Sequence, residues 1–392
     1  MVAFGIFIIC LCVAVVLLTY MGYPLAILIA SRGKTLSQEA GFPPGTALPS
    51  VSVIICAYNE EKAIGQKLKS VAATDYSGEM EVLVGDDGST DQTESEVASV
   101  LWPACRYVKY PRQGKARVLA DLVARATGDI LVFTDADPIW RRDTLRQLIA
   151  PFASPAVGAV GGHVMTAKKA RRMEEGDGAF RRYENFIRTT EDRLFGAISA
   201  DGGLFAIRRG LYQAPPEGVT DDFFISTAAV AKGKRIAFAE SAIAEEESIV
   251  SPLAQWRRRL RITVRGLASV YARRELLSTK RYGLYAVGLF FHKVMRRVAP
   301  LFLFVGAVVA LIMLLTSATY WQVGLLAVIG FAFLLLPLIA DVQVPKIVSV
   351  GSYALLHLGG LAAGTILFLA GKRYVQWSPA KERLVQATGG EE

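Results

Sequence analysis

Three kinds of hydrophobic pattern divide this chain. Residues 4–30 run apolar almost without a break, interrupted by Pro24, and are long enough to span a membrane. Between about 50 and 250 short apolar runs alternate with amphipathic ones: 51–56, 81–84 and 130–133 read as buried strands, 60–73 and 115–126 as helices, with Gly128 placed to stop the second. Beyond Ser251 the residues Leu253, Trp256, Leu260, Val264, Leu267 and Tyr271 recur at helical spacing, with Arg257, Arg258, Arg261 and Arg265 on the other faces, the pattern of a helix lying in a membrane interface. Three more apolar runs follow at 298–316, 321–340 and 353–370.

These patterns predict an N-terminal transmembrane helix (1–31), a Gly- and Pro-containing linker (32–49), an α/β domain (50–250), amphipathic interfacial helices (251–297), about three C-terminal transmembrane helices (298–371) and a tail (372–392). Strands alternating with helices imply a sandwich around a mainly parallel sheet, whose ligands bind beyond the carboxyl ends of the strands. Arg32 and Lys34 follow the first span and no basic residue precedes it, so the α/β domain is expected on the cytoplasmic side. Four spans would then export Lys372, Arg373, Lys381 and Arg383, against the same rule, so either the tail is exported or one apolar run does not cross.

Composition narrows the chemistry. Apolar residues make up 52% of the 392, above the usual range for soluble domains, which agrees with a membrane protein. The net charge of +9 gathers beside apolar segments rather than among exposed aromatics, which points to lipid headgroups and phosphorylated substrates, not nucleic acid. Four cysteines without paired spacing, Cys10, Cys12, Cys56 and Cys105, give neither a disulfide framework nor a zinc site. Neither a GxxxxGK[ST] loop nor a GxGxxG fingerprint occurs, and His163, His292 and His357 are scattered and assigned no chemistry.

Candidate chemistry lies in the loops that follow the predicted strands. Asp135 and Asp137 stand one residue apart after the run 130–133; such a pair can share a ribose or coordinated water and a divalent cation, or can simply shape a turn with Pro138. Asp86-Asp87-Gly88-Ser89 follows 81–84, where an Asp can accept from a base N–H or a ribose hydroxyl, and where Ser89 with Gln92 also reads as a capping box. Ala57-Tyr58-Asn59-Glu60 can wrap a nucleotide, and Gly114-Lys115 opens a helix able to meet a phosphate.

In this order, each at a strand edge, these segments resemble the family 2 glycosyltransferases of the GT-A fold over about residues 50–265, and the flanking spans match the polysaccharide-synthase-like branch. The resemblance implies an α/β GT-A-type domain plus transmembrane α-helices. It implies donor contacts from Ala57, Tyr58, Glu60, Asp87, Lys115 and Asp135, with Asp87 at the base, Asp135 at the ribose or sugar, and Mg²⁺ or Mn²⁺ held at Asp137. The segment 201–209 resembles the family's small-residue loop beside the donor sugar, placing Gly202 and Gly203 near the acceptor. Thr220-Asp221-Asp222 matches an acceptor-site motif that usually reads Thr-Glu-Asp, which puts Asp221 at the acceptor and Asp222 in the place of the general base. Gln255 and Arg258 match a Gln-x-x-Arg-Trp motif, and Arg258 is suited to the pyrophosphate by its bidentate geometry. Arg259 stands where the acceptor-stacking tryptophan is expected, a departure that counts against processive synthesis. Trp377-x-Pro379 weakly resembles a tail motif of related synthases.

The resulting expectation is an inverting enzyme of a bacterial inner membrane with its catalytic domain in the cytoplasm. It takes a sugar from a nucleotide-diphosphate donor, first of all a UDP-sugar, and gives it to a lipid-linked or glycan acceptor in exopolysaccharide or envelope glycan synthesis. The rivals are a processive synthase that also secretes its polymer and, from another class, a nucleotide-binding membrane transporter. The scarcity of charge in the C-terminal spans counts against transport.

Overall fold

Val2–Leu17 (α1) and Tyr23–Ala30 (α2) form one apolar rod, joined through a π-helical turn at Leu18–Gly22. In this computed structural model, which describes residues 2–34, 41–100, 102–166, 174–246, 252–339 and 345–374, Phe4, Phe7, Leu11 and Leu25 stay exposed along the rod, as a lipid-facing surface requires.

The α/β domain begins with β1 (Val51–Ala57), buried along its whole length, then α3 (Ile64–Ala72), β2 (Met80–Asp86), α4 (Thr93–Ala98), β3 (Cys105–Lys109), α5 (Lys115–Arg125) and β4 (Ile130–Thr134). Short β5 (Ile139–Trp140), α6 (Thr144–Ile149) and β6 (Val157–Thr166) follow, then α7 (Glu174–Leu194), β7 (Phe205–Arg208), α8 (Asp221–Ala231) and β8 (Arg235–Glu246). The eight strands make one sheet in the order β3-β2-β1-β4-β7-β6-β8-β5. Strand alternation sorts the core: Val53, Ile55, Val82 and Val132 face Leu68 and Leu148 on one side, while Ile54, Leu83, Leu131 and Phe133 face Leu119, Leu122 and Ile225 on the other.

The sheet is mixed rather than mainly parallel. β3, β2, β1 and β4 run parallel, but β7 pairs antiparallel with both β4 and β6, opposing Phe133 to Phe205. Strand order reverses at β1, since β2 lies on one side and β4 on the other, so a crevice opens beyond their carboxyl ends. The antiparallel turn of β7 brings its leading residues, Gly202 and Gly203, to the end of β4.

Three local expectations change. The helix expected over 60–73 begins at Ile64, because the turn before it gives its amides to the loop after β2: Glu60 N–H to Thr93 Oγ1 at 2.8 Å and Glu61 N–H to Asp91 Oδ2 at 3.2 Å. The Ser89–Gln92 capping box does not form; Asp91 Oδ1 accepts the Thr93 amide at 3.0 Å and so caps α4, leaving Ser89 Oγ to accept from Asn59 N–H at 2.9 Å. Gly128 is not a helix cap but a point of close approach: a Cβ there would lie 2.5 Å from the backbone nitrogen of Ser52.

The C-terminal part comprises α9 (Pro252–Ala272), short α10 (Thr279–Tyr282) and α11 (Leu284–Leu289), a π-helical segment Phe290–Met295, α12 (Arg296–Leu315), α13 (Trp321–Ile339) and α14 (Lys346–Leu369). Helix α9 is packed along α14, where Gly360 and Gly364 leave room for Arg259 and Thr263. Three of its arginines have protein partners: Arg258 meets Glu246 at 3.5 Å, Arg259 donates to Tyr353 Oη at 3.3 Å and Arg265 to the Val219 carbonyl at 3.1 Å. Among the described residues three helices are long and apolar enough to cross a membrane, Val2–Ala30, Leu284–Leu315 and Val350–Leu369, with a shorter apolar helix at Trp321–Leu335. Trp377, Pro379, Lys381 and Arg383 lie outside the described residues.

Candidate active site

The loops after β1, β2 and β3 are laced into one wall. Asp87 is fully buried, and its carboxylate accepts from the Arg112 guanidinium and from the amides of Gln113 at 2.7 Å and Gly114 at 2.9 Å, while its own N–H reaches the Ala57 carbonyl at 2.9 Å. Arg112 in turn lies 3.5 Å over the Tyr58 ring. Gly88, with φ 77°, lets the chain pass Arg112 N at a distance that a Cβ would close to 2.9 Å. Asn59, also at positive φ (53°), accepts the Thr90 amide at 2.8 Å. The sequence-predicted Ala57, Tyr58, Glu60 and Asp87 thus converge, with Asp87 fixing the wall from behind.

At the floor, Asp135 and Asp137 leave the end of β4 half-exposed on either side of the buried Ala136. Lys115, at the start of α5, bridges Asp135 Oδ1 at 2.7 Å and Asp221 Oδ2 at 2.8 Å. Asp221, expected at the acceptor, meets this lysine from the first turn of α8. Burial alone would lower the Lys115 pKa, but the two carboxylates outweigh it and raise it above the ordinary lysine value. Asp135 is raised, by burial first and then by Asp221 and Asp137, against the opposing pull of Lys115. More negative than positive charge is gathered here, which favours a cation. All-oxygen donors suit Mg²⁺ or Mn²⁺. No group of three or more His, Cys, Asp or Glu among the described residues is placed to hold an ion unaided, so the pair can supply only part of a coordination shell.

Opposite the lysine stands Asp222. Burial, and then the charges of Asp221 and Asp201, raise its carboxyl to about 6. At neutral pH it is mostly ionised yet basic enough to accept a proton. Gly202 joins the two sides: a Cβ at this residue would lie 3.8 Å from Asp135 Oδ2 and 3.9 Å from Asp222 Cγ. Thr134 Oγ1 donates to the Gly203 carbonyl at 2.8 Å, tying this loop to β4. Gln255 and Arg258 lie at the start of α9, and the ion pair of Arg258 goes to Glu246 rather than to a member of this cluster.

Besides Arg112, two contributors escaped the sequence reading. Lys67 on α3 is fully buried, its ammonium donating to Thr134 Oγ1 and to the Pro138 carbonyl, each at 2.7 Å, so that it brackets the Asp135–Asp137 turn from below. Its pKa is held well below the ordinary lysine value by burial, against the pull of Asp137 and Asp135. The only sequence signal was a lysine on the apolar face of an amphipathic helix. His292, assigned no chemistry, is buried between Glu191 at 2.9 Å and Glu184 at 2.6 Å, a structural junction that two remote segments create.

The glycosyl transferase family 2 model matches residues 52–214. The chain is 27% identical over 224 residues to a beta-monoglucosyldiacylglycerol synthase of Synechocystis, a match covering 54% of this chain and 47% of that protein. It is 30% identical over 132 residues to an N-acetylglucosaminyltransferase of Rhizobium leguminosarum bv. trifolii, covering 32% of this chain and 72% of that protein. The chain thus spans about half the length of the Synechocystis relative. Among solved structures it is similar to the mannosyltransferase PcManGT of Pyrobaculum calidifontis, in complex with GDP-Man and Mn²⁺, with TM-score 0.70 and 25% identity over 93% of this chain and all of that one.

Proposed function

Because the chain belongs to glycosyl transferase family 2, we propose that it transfers a sugar, with inversion, from a nucleotide-diphosphate donor to a hydroxyl of a lipid-linked or glycan acceptor at the cytoplasmic face of a bacterial inner membrane. The observation that carries this reading is the position of Gly202, against Asp135 on one side and Asp222 on the other, which leaves one gap between the donor floor and a carboxyl raised to about 6.

The base and ribose lie along the Ala57–Glu60 wall, with the Tyr58–Arg112 stack as its platform and Asp87 holding that platform. Asp135 and Asp137 would hold Mg²⁺ or Mn²⁺, which when bound neutralises the departing diphosphate. Lys115 adds a fixed positive charge there, and Arg258, released from Glu246, reaches the same oxygens. Asp222 accepts the proton of the acceptor hydroxyl as its oxygen attacks the anomeric carbon from the face opposite the nucleotide. If the Trp321–Ile339 helix does not cross, Lys372 and Arg373 return to the side of the catalytic domain, which removes the charge conflict of a four-span arrangement. Arg259 is engaged with Tyr353, away from any acceptor stack, which favours single addition over processive synthesis.

The test incubates the detergent-solubilised full chain with Mn²⁺ and UDP-glucose, UDP-N-acetylglucosamine or GDP-mannose, together with extracted bacterial lipid. Nucleotide release that requires the metal, and a lipid-mobility product carrying one sugar, are expected. A nucleotide that binds without being split from its sugar would return the protein to the transporter class, and a high-mass ladder would make it a processive synthase.

A further inference from the structure

The acceptor side of the crevice is closed by membrane helices, and two of its cations have no ion pair among the described residues. Helix α7 presents Glu184, Arg188 and Glu191 toward the two π-helical segments. Tyr23 donates to Glu191 at 2.5 Å, His292 lies against both Glu191 and Glu184, and Arg296 pairs with Glu184 at 2.7 Å. Arg188 answers Asp201 at 3.3 Å. Tyr183 donates to the Tyr20 carbonyl and Tyr20 to that of Arg296, so the junction fixes α2, α7 and the start of α12 together. π-Helical turns inside longer helices recur at functional sites, and the one at Phe290–Met295 sets His292 and Lys293 side by side at this junction.

After these pairings two cations remain. Lys293 and Arg297 have no carboxylate within ion-pair distance among the described residues. Arg297 Nη1 donates only to the Lys293 carbonyl, and its guanidinium lies against Gly266 of α9, where a Cβ would come within 2.6 Å of Nη2. The glycine leaves the space this guanidinium occupies. Lys293 is close enough to act on the carboxyl of Asp222, the proposed base. Both cations lie within electrostatic reach of Glu184 as well as Asp222, but Glu184 is already engaged by Arg296 and His292, so neither half-buried cation has an ion pair of its own among the described residues, and once Asp222 takes up a proton the junction carries an excess of positive charge that an anion corrects.

We infer that Lys293 and Arg297 hold the phosphate of a lipid acceptor whose attacking hydroxyl belongs to a sugar or polyol esterified to that phosphate. This deepens, and rests on, the glycosyltransferase reading above. The phosphate takes no part in bond making: the hydroxyl oxygen bonds to the anomeric carbon, the bond to the nucleotide diphosphate breaks with its electron pair leaving on the diphosphate, and the proton passes to Asp222. The phosphate anchors the headgroup so that its hydroxyl meets the donor. It enters from the membrane side, because both cations lie within the Leu284–Leu315 helix, just before its apolar stretch 298–315.

The test measures binding of farnesyl phosphate, farnesol and inorganic phosphate to the full chain in neutral detergent. Farnesyl phosphate should bind at least about tenfold more tightly than either of the others, the value of one or two charge-assisted hydrogen bonds. Lys293→Met with Arg297→Met should abolish the difference, and Lys293→Arg should preserve it, which separates loss of charge from loss of fold. Equal binding of farnesol, a preference that survives in the double variant, or inorganic phosphate binding as tightly as its farnesyl ester would each overturn the inference. Donor cleavage by the same preparation is read separately. Cleavage without any phosphate preference removes the anion site and leaves the enzyme, whereas phosphate preference without cleavage of any donor removes the enzymatic reading and leaves the anion site.

Discussion

The two halves of the crevice handle charge in opposite ways. On the donor side the buried Asp87 carboxylate has Arg112 and two amides, and Lys115 stands between Asp135 and Asp221, so the groups are locked in place before any ligand arrives. On the acceptor side Asp222 is raised to about 6, and Lys293 and Arg297 have no carboxylate within ion-pair distance among the described residues. The donor half is paired except for the surplus carboxylate charge that favours a cation, whereas the half that must move a proton keeps a raised carboxyl and two cations without ion pairs. Asp222→Asn tests this contrast most severely. Transfer should fall about 10²–10⁴-fold, the usual share of a general base, with affinity for the donor nucleotide unchanged in a calorimetric titration. The same variant should raise Tm at pH 8. The folded carboxyl ionises at a higher pH than the unfolded one, so the charge it carries above about pH 6 destabilises the fold, and asparagine removes it. Undiminished transfer, or an unchanged Tm together with lost donor binding, would remove the distinction between the halves.

On the donor side the matching experiment is Lys115→Met. Losing a charge-assisted hydrogen bond to the diphosphate, about 1.5–3 kcal/mol, should lower donor affinity about ten- to a hundredfold. Here excess Mn²⁺ should restore part of the loss, because a divalent ion neutralises the two carboxylates left facing each other, while it should do nothing for Asp222→Asn. A Lys115→Met protein with normal donor affinity would mean that its bridge to Asp135 and Asp221 plays no part in holding the diphosphate.

A milder probe needs no substitution. Asp222 must be ionised to accept a proton, so kcat/KM should be flat above pH 7 and fall about tenfold between pH 7 and pH 5, following a carboxyl raised to about 6. In Asp222→Asn the residual rate should lose this limb. If the limb persists in the variant, another group titrates on the acceptor side.

What the sequence disclosed follows from which contacts are local. The strands 51–56 and 130–133 were legible because burial on both faces demands continuous apolar runs, and the acidic loops were legible because they follow those strands directly. The antiparallel insertion of β7 beside β4 was not legible, because four residues of Phe205–Arg208 look alike in either direction, yet this pairing brings Gly202 to Asp135. The contact of Asp221 with Lys115 was not legible, because a one-residue difference of helix phase between Asp221 and Asp222 cannot be assigned to a partner without knowing where Lys115 lies. The partners of the α9 arginines were not legible either: arginines on an amphipathic helix look alike whether they meet lipid phosphate or a carbonyl such as that of Val219.

Lys67 offers the smallest and most discriminating test of the donor side. Its ammonium spans Thr134 Oγ1 and the Pro138 carbonyl, the two ends of the turn that carries Asp135 and Asp137, and it lies 4.3 Å from the centroid of the Trp140 ring. A buried lysine whose pKa burial holds well below normal is expensive to keep, and a methionine of similar length would fill the same space without that desolvation. If the lysine were only a structural filler, Lys67→Met should leave Mn²⁺ and donor affinity alone and raise Tm. If it holds the carboxylates at their spacing, the two lost hydrogen bonds, about 1 kcal/mol each, should weaken metal-dependent donor binding about three- to tenfold while Tm still holds or rises. The second result is expected, since Thr134 also carries the bond to the Gly203 carbonyl, so that a loosened Thr134 moves the donor floor and the acceptor loop together. A parallel rise in the KM for acceptor would locate the coupling between the two halves at this threonine.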